Sequence, residues 1–216
     1  MSESAARRLS RMFQLISFAI DAKQDHLSHL DGAIGDADHG ITMSLGFTAV
    51  NSELAKLDLG RTLPSDVFSA AATAFLNAVG ASTGPLYATA FRRAAQALKP
   101  LESLSPADQA IIIEAMAAGI KDRGKGQRGD KTMLDAWIPA AEAAAEAVSR
   151  GATAAEMWNS ILAAAEDGAN ATRSMVAARG RAARLGERSL GHMDPGSASA
   201  VIILSAMREA FTEGCS

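Results

Sequence analysis

Cysteine is all but missing from this chain of 216 residues, appearing once as Cys215. That excludes a disulfide framework, a thiolate zinc site and a thiol nucleophile in a built pocket, and it points to a reducing, cytoplasmic setting. Aromatic residues make up only 5%. β-Branched residues are scattered and never gather into strand-length alternation, which argues against a sheet. Long apolar runs are missing too. The opening segment 1–21 is interrupted by Gln14, Ser17 and Asp21, is too short for a membrane span and has no small-residue cleavage site. Neither export nor membrane insertion is expected. Positive charge is not in surplus, since the net charge is -3, so the overall field repels polyanions and nucleic acid is not an expected partner. No low-complexity linker or internal repeat divides the chain, so residues 1–216 are expected to form one domain.

What is abundant is alanine, at 47 residues. With 48% hydrophobic residues, a chain this long buries enough surface to fold without a metal or cross-link, so any metal site would be functional. The spacing predicts an all-α chain of eight helices. They fall at about 4–29, 41–57, 65–79, 85–98, 107–121, 132–149, 153–178 and 195–213. The aliphatic runs Ile111-Ile112-Ile113 and Val201-Ile202-Ile203-Leu204 read as helix because helical spacing continues beyond each. Ser65 or Asp66 is placed to cap the third helix, and Asp194 to cap the last with Pro195 at its first position. Trp137, Trp158 and Phe47 fall within helices as core anchors, whereas His26 and His29 read as surface or packing residues.

Four interruptions, at 31–40, 80–85, 122–131 and 179–197, hold most of the unusual residues. In an up-and-down bundle alternate loops share one end, so the loops after helices one, three, five and seven converge. These are the same four loops. The first places Asp31, Asp36 and Asp38 within eight residues, a charge density that needs solvent, protons or cations to offset repulsion. Oxygen-only ligands suit Mg²⁺, which completes its shell with water and phosphate. His39 reads more readily as a loop or cap residue than as a ligand, and the calcium-loop pattern fails because Ile41 and Phe47 occupy its Gly and Glu positions. Two phosphate motifs are discounted. The segment 119–126 lacks the final Ser or Thr of a P-loop, and Gly124, Gly126 and Gly129 satisfy G-x-G-x-x-G without a preceding strand. The segment Gly80-Ala81-Ser82-Thr83-Gly84-Pro85 is the better cradle, with small residues ahead of a helix start, although an ordinary helix-helix turn explains it as well.

The segments Leu30–Gly40, Gly80–Tyr87, Gly129–Met133 and Gly180–Gly196 together resemble the nucleotide-binding L domain of dihydroxyacetone kinases, the DhaL family. The resemblance implies an eight-helix antiparallel barrel with an adenine nucleotide, ADP or ATP, and two Mg²⁺ at one end. It assigns Asp31, Asp36 and Asp38 to the metals. His39, Gly40, Ile41 and Thr42 would face the phosphates from a helix start, with Ser82 and Thr83 as phosphate-loop contacts. Gly124, Met133, Asp194, Pro195 and Gly196 would line the adenosine part, and Arg181 would contact the nucleotide. The family loop is commonly Gly-Gly-Ala-Ser-Gly-Pro, so the extra Thr83 leaves the Ser82 and Thr83 register open by one. His192, in the Arg/Gly loop near Asp194, reads either as a contact to nucleotide or partner or as a purely structural residue.

The implied reaction is phosphoryl transfer to dihydroxyacetone held on a separate K subunit, with a phosphotransferase-system M subunit rephosphorylating bound ADP. An ATP-exchanging kinase subunit for a related ketose or polyol stays open, as do a non-catalytic ADP-binding regulatory module, a purely structural bundle and a homodimer.

Overall fold

The computed structural model describes residues 3–80, 82–98, 100 and 103–212. All regular structure among them is helical. It comprises α1 (Ala5–Ala22), α2 (Gln24–Ile34), α3 (His39–Leu54), α4 (Pro64–Ala78) and α5 (Thr83–Ala97). Then follow α6 (Pro106–Gly124), α7 (Leu134–Ser149), α8 (Ala154–Ala171) and α9 (Pro195–Thr212). Two 3₁₀ segments, Thr172–Ser174 and Ala182–Ser189, lie between α8 and α9.

Consecutive helices from α3 to α9 pack as neighbours, and α1 packs on both α3 and α9. The reason lies in the apolar faces. Leu9, Phe13, Ile16 and Ile20 recur at helical spacing on α1 and are wholly buried, as are Phe47 and Val50 of α3 and Phe68 and Phe75 of α4. The few aromatic rings are concentrated rather than scattered. Phe13, Phe47, Phe75, Tyr87 and Phe91 meet mainly edge to face, with Phe13 and Phe91 centroids 5.3 Å apart at 89°, the arrangement that ring quadrupoles favour. Trp158 stacks on Phe211 and donates its indole N–H to Gln109 Oε1 at 2.7 Å. Trp137, Trp158 and Phe47 are thus core anchors, and His26 and His29 are exposed.

Three helix boundaries depart from the expected ones. The expected first helix breaks at Lys23, whose backbone leaves the helical region (φ -116°, ψ 10°). No Pro or Gly marks the break. It frees α2 to lie against α3 and α9 and carries Asp31 to the site. The expected seventh helix stops at Ala171, seven residues early, and the next segment runs as 3₁₀ helix and loop. Thirdly, α4 begins at Pro64, with Leu63 as its cap residue. Asp66 serves at the third helical position, accepting the Leu63 N–H at 3.2 Å. By contrast, Asp194 caps α9 as expected: its Oδ2 accepts the Ser197 N–H at 2.6 Å, and Pro195 opens the helix. Among the described residues no helix is long and apolar enough to cross a membrane.

Candidate nucleotide and metal site

The four interruptions gather around one cavity of about 710 Å³. The α2–α3 loop supplies Asp31, Asp36, Asp38 and His39, and the start of α5 supplies Ser82, Thr83 and Pro85. The α6–α7 turn adds Gly124, Lys131 and Met133, while the segment before α9 adds Arg179, Arg181, Arg184, Asp194, Pro195 and Gly196.

At one end, single carboxylate oxygens of Asp31, Asp36 and Asp38 lie within 4.8 Å of one another. The local chain explains the cluster. Ala37 takes a left-handed conformation (φ 64°), and Asp31 Oδ2 reaches forward to accept the Asp38 N–H at 3.0 Å and the His39 N–H at 3.3 Å. Asp31 thereby caps α3 in place of Asp38. Gly35 is required here, since a Cβ on it would fall 2.1 Å from Asp31 Oδ1. Burial, then the charges of Asp36 and Asp31, hold the Asp38 carboxyl above its ordinary range. A hard cation relieves that repulsion, so three convergent oxygen donors fit Mg²⁺. Arg181 pairs with Asp36.

His39 is buried, and its Nε2 sits 2.9 Å from Ser199 Oγ. Burial lowers its pKa to about 4, so the ring is neutral at pH 7. Thr83 is buried and Ser82 exposed at the start of α5, and both line the cavity at a helix N-terminus, where the first N–H groups have no intrahelical partner. Leu86, Ile120, Gly124, Gly126, Met133 and Leu134 supply the apolar part of the lining. Its glycines are closely packed: a Cβ on Gly126 would fall 2.9 Å from Leu134 Cδ1, and on Gly196, also in the lining, one would fall 3.0 Å from Asp194 Oδ2 and 3.3 Å from Met133 Cβ.

Three of the residues assigned by sequence do not line the cavity. Gly40 faces α2, where a Cβ would fall 2.0 Å from Gln24 O. Ile41 is 49% exposed. The Thr42 N–H bonds to Asp38 O at 2.9 Å. His192 also lies outside the lining, its carbonyl accepting from Lys131.

Sequence reasoning passed over Lys131 and Arg179. Lys131 is 1% exposed, and its Nζ donates to Thr172 O and His192 O, each at 2.5 Å. Arg179 Nε pairs with Asp130 Oδ2 at 2.7 Å, which holds the Asp130 carboxyl below its usual range. The motif Gly129-Asp130-Lys131-Thr132 was visible in sequence, but its partners lie 41 to 61 residues away. The two discounted motifs hold no strand-to-helix turn. Residues 119–124 lie within α6, and Gly119 lets α6 approach α5, where a Cβ would fall 2.8 Å from Ala90 Cα.

A family model described as the DAK2 domain matches residues 33–209. The chain belongs to the DAK2 domain family. The matched stretch includes Asp36, Asp38 and every cavity residue after them. This DAK2 domain is similar to the ADP-binding subunit DhaL of the PEP-dependent dihydroxyacetone kinase of Escherichia coli (strain K12). The two are 36% identical over 194 residues, covering 88% of this chain and 90% of that one. It is 34% identical over 190 residues to the ADP-binding subunit DhaL of PEP-dependent dihydroxyacetone kinase 2 of Listeria innocua, covering 88% of each. Its fold resembles the crystal structure of the dihydroxyacetone kinase of C. freundii in its native form. That likeness has a TM-score of 0.66 at 26% identity, covering 93% of this chain and 34% of that one.

Proposed function

We propose that this DAK2 domain is the Mg²⁺-ADP-binding subunit of a dihydroxyacetone kinase, dependent on phosphoenolpyruvate through the phosphotransferase system. It passes a phosphoryl group from its bound nucleotide to dihydroxyacetone held on a separate K subunit, and an M subunit rephosphorylates the ADP in place. The carrying observation is one cavity whose lining combines three convergent carboxylates with arginines, apolar side chains and glycines. Its chain aligns with ADP-binding subunits over nearly their whole length.

Residues 1–216 form one DhaL-type domain in this reading. The cycle of neighbours that runs from α3 to α9 and returns through α1 supports an eight-membered barrel, with α2 as the arm that brings in Asp31. Asp31, Asp36 and Asp38 would hold two Mg²⁺. When bound, the metal neutralises phosphate oxygens and so favours transfer. The remaining work falls to this chain. The α5 N-terminus with Ser82 and Thr83 offers N–H donors to phosphate, and at the start of α3 it is His39 that lines the cavity. Arg181 supplies a cation at the carboxylate end. Gly124, Met133, Asp194, Pro195 and Gly196 line the adenosine part, excluding water from it. Positioning and charge, rather than a general base on this chain, carry the transfer. The same reading places the protein in the cytoplasm.

The test is to denature the purified protein, quantify released nucleotide, and follow exchange of the native complex against labelled ATP with and without chelator. Near-stoichiometric ADP that resists exchange until Mg²⁺ is stripped is expected. Rapid exchange would instead identify an ATP-dependent kinase subunit, and no nucleotide under any condition would remove both readings. Asp36→Ala is expected to abolish metal-dependent retention while leaving helicity intact. The chain alone, with Mg²⁺ and ATP, is expected not to phosphorylate dihydroxyacetone.

A further inference from the structure

The segment 173–191, which carries Arg179, Arg181 and Arg184 into the cavity, starts and finishes at the same place. Gly191 N–H donates to Arg173 O at 2.7 Å, and Asp194 N–H to Thr172 Oγ1 at 3.0 Å, so its two ends meet as in an Ω-loop. Its three glycines, Gly180, Gly186 and Gly191, take the positive φ its turns need.

What closes the base is Lys131. Its ammonium donates to Thr172 O on the entering side and to His192 O on the leaving side. Its neighbour grips the front of the loop, since Asp130 O accepts the Ala178 N–H at 3.1 Å and Asp130 Oδ2 pairs with Arg179. Lys131 holds a left-handed backbone (φ 58°), which a side-chain-bearing residue adopts only at a cost. Its ammonium is buried with two carbonyl acceptors and, among the described residues, no carboxylate within ion-pair distance, only the more distant charges of Asp194 and Asp135, an arrangement that a merely structural turn gains little from.

We infer that Lys131 is a positioning residue that acts through Arg181: by fastening both ends of the 173–191 loop, it delivers the Arg181 guanidinium to Asp36 at the carboxylate end of the cavity. The inference rests on the nucleotide reading above, in which Arg181 contacts the phosphates. Asp130 assists at the front of the loop.

The test is a double-mutant cycle read by the dissociation rate of a fluorescent ADP, chased with unlabelled ADP in Mg²⁺, on Lys131→Met, Arg181→Ala and the double variant. Lys131→Met is expected to speed release at least ten-fold. In the Arg181→Ala background the same substitution is expected to change the rate less than two-fold, because the one guanidinium that the loop brings to Asp36 is already gone. A lysine that only supports the fold would multiply the two effects, and that result, or a Lys131→Met rate equal to wild type, overturns the inference. Should Lys131→Met lose helicity by circular dichroism, Asp130→Asn carries the test, with a smaller acceleration that must likewise vanish beside Arg181→Ala. A wild-type chain that fails to bind Mg²⁺-ADP would instead sink the functional reading itself.

Discussion

Asp194 shows how much a single group can reveal. It is half-buried in the cavity wall, and burial first, then the charge of Asp135, pushes its carboxyl from 3.8 to about 7 against the opposing pull of Ser197 N–H and Lys131. The folded state therefore binds this proton more tightly than the unfolded chain does. Its contribution to stability is full below about pH 4 and falls as pH rises to about 7. His39 works in the opposite sense, because its folded value lies below 6.5. The comparison that isolates Asp194 is with Asp194→Asn, which keeps an oxygen for the Ser197 N–H. Denaturation of the nucleotide-free chain is expected to show wild type losing stability relative to Asn between pH 4 and 7, by at most about 1.4 kcal/mol per unit. Parallel curves would show that the carboxyl keeps its ordinary affinity. A second residue-scale case is Gly40. Its place in the aspartate motif suggested phosphate contact, but its lack of a side chain also lets α3 meet α2. Gly40→Ala is expected to destabilise the fold by about 1–3 kcal/mol in chemical denaturation. The three aspartates were legible because like charges at short spacing demand a reason. Lys131 was not, because lysine is rarely buried and both its acceptors belong to remote segments.

At the scale of elements, the start of α9 at Asp194 was legible, whereas two reciprocal caps went unread: Ser105 with Asp108 on α6, and Thr153 with Glu156 on α8. Thr153 belongs to the α7–α8 turn, which contributes nothing to the cavity. Thr153→Ala is therefore expected to cost about 1 kcal/mol of stability, measured by denaturation, with nucleotide release unchanged. A coupled change in release would show that the two ends of the molecule communicate. Helix ends set by tertiary contacts were not legible. The end of α8 is one, since Thr172 turns its hydroxyl back to Ala169 O at 2.6 Å while Lys131 claims its carbonyl. The break at Lys23 is another, because only the docking of α2 on α3 and α9 explains it.

For the whole molecule, the parity of loops in an alternating bundle put four distant segments at one end, and the cavity gathers residues from all four. Composition foresaw the helical class, because an alanine-rich chain packs helices closely with few large side chains. It did not foresee that one arm would stand apart from the cycle of neighbours. Binding at such a site adds to global stability by mass action. Chelating Mg²⁺ from the loaded protein is expected to lower its melting temperature by several degrees if nucleotide had been present at about 100-fold its Kd, worth about 2.7 kcal/mol. An unchanged melting temperature would mean that the carboxylate cluster takes no part in holding the ligand.

The pairing of α1 with α9 has one more consequence. Arg11 Nη2 donates to Ala210 O at 2.8 Å across 199 positions of sequence, so the beginning of α1 lies beside the end of α9. Both lie away from the cavity, which α9 meets only at its opposite end, around Pro195 and Gly196. The order in which the helices are strung is thus separable from the site they build. A circular permutant that links these two ends and opens at Gly151 is expected to keep its nucleotide.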